Sequence, residues 1–139
     1  AMGVHVAQRV VKLLVRLDVP VKGARVGVLG VTFKENVADC RHSRVPDVVG
    51  ELQQFGVEVV VVDPLARAED VKREHGIVLQ PLEALRGLDG LVVAVKHSAF
   101  EALLPGALAG MMRRPSVVMD VKWMLRAGQM PAGVTYASL

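Results

Sequence analysis

The chain has one cysteine, Cys40, which excludes an internal disulfide and any metal site built from clustered cysteines. Aromatic residues are scarce, at 4%. Lysine and arginine are scattered, with no basic run and no aromatics interleaved among them, so a nucleic-acid interface is a poor reading. No apolar stretch approaches the length a bilayer demands, and no charged-then-apolar leader opens the chain. The expectation is a soluble, cytoplasmic piece with no membrane contact. Internal repeats and low-complexity segments are also missing. What is present is apolar: 52% of the 139 residues are hydrophobic and 22% charged. That suits one globular domain and excludes a disordered tail. The net charge of +3 is mild and compatible with a small phosphate-bearing ligand.

Valine is abundant, and valine-rich apolar runs are how buried parallel strands read. Val4 to Leu17 repeats Val6, Val10, Leu13, Leu14 and Leu17 at helical spacing and stops at Asp18-Val19-Pro20. Ala1-Met2-Gly3 reads as an artificial start, and the abrupt opening as a cut through a longer helix. Ala24 to Gly30 reads as a strand closed by glycine. A helix follows, with Ser43 as cap, Pro46 and Asp47 in the first turn, Val45, Val48, Val49 and Leu52 as its apolar face, and Gly56 as its stop. Val57 to Val62 is the next strand, ended by Asp63-Pro64.

The alternation continues with a polar helix over Arg67 to Glu74, a short strand at Ile77-Val78-Leu79 and a brief helix from Pro81 to Leu85. Then come a strand at Leu91 to Val95, a helix capped by Ser98 and interrupted by Pro105, and a second stretch to Met112. Strands at Ser116 to Asp120 and near Val134-Thr135-Tyr136 close the chain. Strand alternating with helix implies a mostly parallel sheet covered on both faces. The expected fold is a Rossmann-like three-layer α/β sandwich over residues 21–139, preceded by an N-terminal helix in residues 1–20.

Such sheets bind ligands at the carboxyl ends of their strands. The segment from Val31 to Ser43 is about twice the usual connection of roughly 2 to 6 residues, and long connections tend to be functional. It carries Lys34, Asp39 and Arg41 beside a helix N-terminus, a reasonable set for a pyrophosphate clamp. The glycine-rich dinucleotide fingerprint is absent, because Phe33 stands where its third glycine belongs. Side chains must therefore do what a glycine turn does elsewhere, and ordinary NAD binding here is not expected.

Gly30-Val31-Thr32-Phe33-Lys34-Glu35-Asn36-Val37-Ala38-Asp39-Cys40-Arg41-His42-Ser43 resembles the G-x-x-F-K-x-x-x-x-D-x-R-x-S signature of the UDP-glucose/GDP-mannose dehydrogenase family. The resemblance extends to Val60-Val61-Val62-Asp63-Pro64 and to Asp120-Val121-Lys122, and covers nearly the whole chain. It implies the C-terminal, UDP-binding domain of an NAD-dependent enzyme that oxidises the C6 alcohol of a nucleotide sugar to a carboxylate, supplying uronic acids for polysaccharide. NAD and the cysteine nucleophile would sit mainly in N-terminal and central parts outside this chain, which alone is expected to be inactive. Phe33 and Lys34 match substrate contacts and Arg41 matches a contact to the cofactor, with Asp39 and Ser43 shaping the loop. Lys122 stands where many members have a substrate-binding arginine. Lysine there looks more like the branch acting on UDP-N-acetylhexosamines, although it is a point charge without arginine's planar fork. Trp123 departs from the small residue expected beside it.

Several residues have plainer readings. Cys40 reads as a replacement for an apolar residue, Lys96 as solvated, and Asp63 as a turn former in Asp-Pro. His97 reads as structural or solvated, and Met111-Met112 as packing. Arg41 has two compatible readings, a pair with Asp39 or a cofactor contact. Two other functions remain open: a stand-alone nucleotide-binding module, and an oligomerisation element marked by an exposed apolar face on Val4 to Leu17. Members of the resembled family are usually at least dimers, so a homo-oligomer is expected.

Overall fold

The computed structural model describes residues 2–139. Apolar runs form β1 (Arg25–Leu29), β2 (Glu58–Val62), β3 (Leu88–Val93), β4 (Met112–Asp120) and β5 (Val134–Ser138). All pair in parallel, in the order β2-β1-β3-β4-β5. Every residue of β3 is buried, as a strand covered on both faces must be.

The helices α1 (Met2–Arg16) and α2 (Val45–Gln54) cover one face. Their Val6, Val10, Leu14, Val48 and Leu52 pack against Val26, Val28, Val92, Val117 and Met119, together with Val71 of α3 (Ala68–His75). Alternate strand residues Leu29, Leu91, Val93 and Val118 point the other way. They meet Phe100 of α4 (Ser98–Leu103) and Leu108 and Met111 of α5 (Leu108–Met111). The layers are helix, sheet, helix. Burying each of Val6, Val10 and Leu14 contributes about 1.5–3 kcal/mol, so α1 is part of this core. Its Val6, Val10, Val11 and Leu14 face inward, and Met2 and Val15 are the large apolar side chains it leaves exposed.

Gly3 allows α1 to cross α2 closely: a Cβ there would lie 2.7 Å from Asp47 Cβ and 2.8 Å from the Arg44 carbonyl oxygen.

The structure corrects some sequence expectations. Ile77-Val78-Leu79 is not a strand. Gly76 ends α3 in the left-handed region, Val78 is 61% exposed, and the Gln80 N–H alone reaches β2, at the Val61 carbonyl. Neither expected serine cap is one. Arg44 holds the cap position of α2, while Ser43 Oγ accepts the Val45 N–H one step earlier. His97 precedes α4, and the Ser98 N–H is accepted by the Asn36 side chain. β3 and β4 also begin earlier than their apolar runs.

Candidate functional site

The strand order reverses between β1 and β3, and ligand crevices in open parallel sheets form outside the carboxyl ends at such a switch. The Val31–Ser43 loop leaves β1 at that point. Gly30 makes the departure, with φ +97°. The loop closes on itself through the Phe33 N–H and the Asp39 carbonyl oxygen, 2.9 Å apart.

Phe33, Lys34, Lys96 and Lys122 line one cleft of about 260 Å³ with Glu35 and Val95. The lysines come from three different segments, following β1, β3 and β4. None of them forms an ion pair among the described residues. Lys34 Nζ lies 5.9 Å from the centroid of the Phe33 ring, and that ring is 49% exposed. An adjoining hollow of about 230 Å³ shares Phe33, Val95 and Lys122 and runs toward Met2, Arg44 and Val45. Mutually repelling ammonium groups beside one carboxylate make a cleft that favours a polyanion, with an aromatic face alongside.

Asp39 and Arg41 face each other on the loop's outer arm. Arg41 Nε and Nη2 donate to Asp39 Oδ1 and Oδ2, each at 3.1 Å, and the Arg41 N–H donates to Oδ1 at 2.9 Å. The guanidinium bonds hold the Asp39 carboxyl down at about 2 and push the Arg41 pKa up. Among the described residues Arg41 Nη1 meets no hydrogen-bond partner and the side chain is exposed, so it can still meet an anion. Cys40, between them, is buried in the core, and burial raises its thiol pKa. Its environment is the reverse of a nucleophile's. The His75 ring donates to the Cys40 carbonyl oxygen at 2.7 Å and ties this arm to α3.

Two buried carboxylates at strand ends were not singled out as site organisers by their sequence context. Asp63 Oδ1 accepts the Leu65 and Ala66 N–H groups, and Oδ2 accepts the Val31 N–H at 2.8 Å. His97 Nε2 is 3.0 Å from the same Oδ2. The Asp-Pro turn is thus one half of what Asp63 holds. The other half fixes the start of the ligand loop. Asp120 Oδ1 accepts the Met124 N–H, and Oδ2 accepts the Leu125 N–H and the Tyr136 hydroxyl. It shapes the turn that presents Lys122 and the 69% exposed Trp123, whose φ is +53°. Both acids end apolar runs, and that was the available signal: a carboxylate there is buried and must find donors.

Tyr136 gives a direct check on this arrangement. Burial, and then its bond to Asp120, push the phenol from its ordinary 10.0 up to about 12. Ultraviolet titration of the chain's single tyrosine should show a midpoint near 12. The associated stabilisation is complete below the ordinary value and is lost as pH rises through the folded one. Asp120→Asn should lower the midpoint. A midpoint at 10 in the folded protein would contradict the bond.

The residues do not fit an ordinary NAD site. Both oxygens of Asp63, the acid at the β2 end, already accept hydrogen bonds, leaving none directed at a ribose. A larger hollow of about 440 Å³ beside Asp63, Pro81 and Phe100 is mainly apolar. Among the described residues, no group of three His, Cys, Asp or Glu is placed to hold a metal. No described helix is long and apolar enough to cross a membrane.

Residues 27–127 match the model of the UDP-glucose/GDP-mannose dehydrogenase family, UDP binding domain. The chain is 36% identical over 124 residues to a UDP-N-acetyl-D-glucosamine 6-dehydrogenase of Pseudomonas aeruginosa, covering 89% of this chain and 29% of that protein. It is 33% identical over 122 residues to a UDP-glucose 6-dehydrogenase of Rhizobium meliloti (strain 1021), covering 86% and 28%. The solved NDP-N-acetyl-D-galactosaminuronic acid dehydrogenase of Methanosarcina mazei Go1 matches with a TM-score of 0.82 at 22% identity, over 99% of this chain and 29% of that one, a likeness of fold. The chain thus spans under a third of the length of these relatives.

Proposed function

The chain belongs to the UDP-glucose/GDP-mannose dehydrogenase family as its UDP-binding domain, and from that premise we propose that it binds the nucleotide sugar for an NAD-dependent UDP-sugar 6-dehydrogenase. The whole enzyme would oxidise the C6 alcohol to a uronic acid, in the cytoplasm, for polysaccharide synthesis. Its substrate is a UDP-N-acetylhexosamine or UDP-glucose, the activities named for the relatives. Residues 21–139 form the nucleotide-sugar unit, and α1, packed into the same core, would connect it to the rest of the enzyme.

The observation that carries this reading is the single cleft shared by Phe33, Lys34, Lys96 and Lys122 at the switch in strand order. Lys34 and Lys122 neutralise the diphosphate and Phe33 packs against the ligand. Lys96, partly covered, joins them as a third cation. Asp39 and Ser43 hold the loop, and Arg41 offers its unbonded Nη1 to NAD carried by another part of the enzyme. No residue of this chain is assigned to the chemical step. Exposed Phe33 and Trp123 fit a surface that the N-terminal and central parts would cover, within a homo-oligomer.

Calorimetric titration with UDP, UDP-N-acetylglucosamine, GDP and NAD tests the proposal. Half a site should bind UDP compounds weakly, on the order of millimolar or roughly 4 kcal/mol. NAD and GDP should bind more weakly still, and Lys34→Ala should abolish the UDP signal. Preferential NAD binding would make this a cofactor domain instead.

A further inference from the structure

His97 is completely buried, yet both its ring nitrogens are committed at the root of the ligand loop. The Asn36 N–H points at Nδ1 from 2.9 Å. A backbone donor can face only an unprotonated nitrogen, so Nδ1 is the acceptor and the proton resides on Nε2. Nε2 then donates to Asp63 Oδ2 at 3.0 Å, with Thr32 Oγ1 at 3.2 Å. The Thr32 hydroxyl itself donates to the Lys34 carbonyl oxygen at 2.8 Å. Phe100 packs against the ring, with centroids 5.4 Å apart.

Asn36 is gripped twice. Its backbone amide meets the His97 ring, and its side-chain oxygen accepts the Ser98 N–H at 2.9 Å. Its φ of +60° is held by these bonds, in a loop otherwise exposed from Phe33 to Ala38. Asp63 is the ionisable group in contact with the ring. Lys34, Glu35 and Lys96 line the neighbouring cleft, Glu101 one turn along α4 is exposed, and among the described residues none of them hydrogen-bonds the ring.

We propose that His97 is a positioning residue for nucleotide binding: anchored on Asp63, it holds the Asn36 amide and thereby sets the short segment that presents Phe33 and Lys34 to the cleft. This rests on the nucleotide-sugar reading of that cleft. The imidazole works in one tautomer only. If Nδ1 carried the proton, it would oppose the Asn36 donor and the loop would lose its catch.

The test combines nitrogen NMR of the His97 ring, amide exchange at Asn36 and titration with UDP. In the unmodified domain the ring should show the Nε2–H tautomer, and the Asn36 amide should be protected from exchange. His97→Asn places a carboxamide oxygen near the position of Nδ1. His97→Gln instead places its amide near Nε2. Both should lower the melting temperature. His97→Gln should weaken UDP binding by about tenfold and speed Asn36 exchange at least as much, while His97→Asn, which keeps the acceptor but loses the Asp63 anchor, should fall between it and the parent on both. A ring protonated at Nδ1, equal effects of the two variants, or unchanged Asn36 exchange in His97→Gln would overturn the proposal. Absence of UDP binding by the unmodified domain would overturn the nucleotide reading, while the tautomer and the exchange rate would still decide the latch.

Discussion

Gly30→Ala should destabilise the domain by about 3–5 kcal/mol, a large share of a typical total of about 5–15 kcal/mol. Two costs combine. Gly30 has φ +97°, a conformation that costs a side-chain-bearing residue about 1–3 kcal/mol. The new Cβ would also lie 2.5 Å from Val95 Cβ and 2.7 Å from Val95 Cγ2, and overpacking of that kind costs about 1–3 kcal/mol. Val95 cannot easily retreat. It is buried, and its N–H and that of Ala94 both bond the Leu29 carbonyl oxygen. Gly30 is likewise held, by its N–H on the Val62 carbonyl oxygen. Because the closest clash is with Val95 Cβ, which alanine retains, Val95→Ala should rescue little. Urea denaturation of the single and double variants measures this. A Gly30→Ala midpoint within about 0.5 kcal/mol of the parent would refute it.

The same packing shows which parts of the fold were legible. Strong apolar runs such as Glu58–Val62 and the helical stripe on Met2–Arg16 came through because one physical force, burial, dictates both pattern and structure. β3 and β4 begin before their apolar runs because polar residues follow the first position of each. Asp89 lies in β3 and is buried, accepting the Arg25 N–H at 2.9 Å. Arg113, Arg114 and Pro115 follow Met112 in β4 with their side chains exposed. Ile77-Val78-Leu79 failed in the opposite direction. Its residues suit a strand, but a helix stop at Gly76 and Pro81 beyond leave room for little more than one bond to β2.

The candidate site was legible where it is contiguous. The loop from Gly30 to Ser43 stands out by length and spacing, whereas Lys122 is singled out by the family resemblance of Asp120-Val121-Lys122. What sequence could not supply were partners far apart in the chain. Lys96 looks solvated until β1, β3 and β4 bring it beside Lys34 and Lys122. The residues that grip His97, and the His75 bond to the Cys40 carbonyl, join segments separated by more than thirty positions. No local periodicity encodes such pairs; tertiary packing does.

Asp63→Asn is the second large effect, expected at about 3–5 kcal/mol although the change is nearly isosteric. The carboxylate receives donors at both oxygens: Leu65 and Ala66 N–H at Oδ1, Val31 N–H and His97 at Oδ2. A carboxamide has one oxygen. Whichever way it is turned, its NH2 meets backbone donors, the buried Val31 N–H on one side or the part-buried Leu65 and Ala66 N–H groups on the other. Leaving a buried donor unsatisfied costs about 1–3 kcal/mol. With the NH2 on the Oδ2 side, His97 can restore its own bond by moving its proton to Nδ1, but that nitrogen then opposes the Asn36 N–H. With the NH2 on the Oδ1 side, the Asp-Pro turn loses its acceptor. One route to relief therefore loosens the ligand loop and the other opens the turn after β2. Thermal melting should register the stability loss. The ring tautomer and Asn36 exchange should tell which route the protein takes. An Asp63→Asn domain that melts with the parent and keeps the Nε2–H tautomer would show that these bonds contribute far less than their geometry implies.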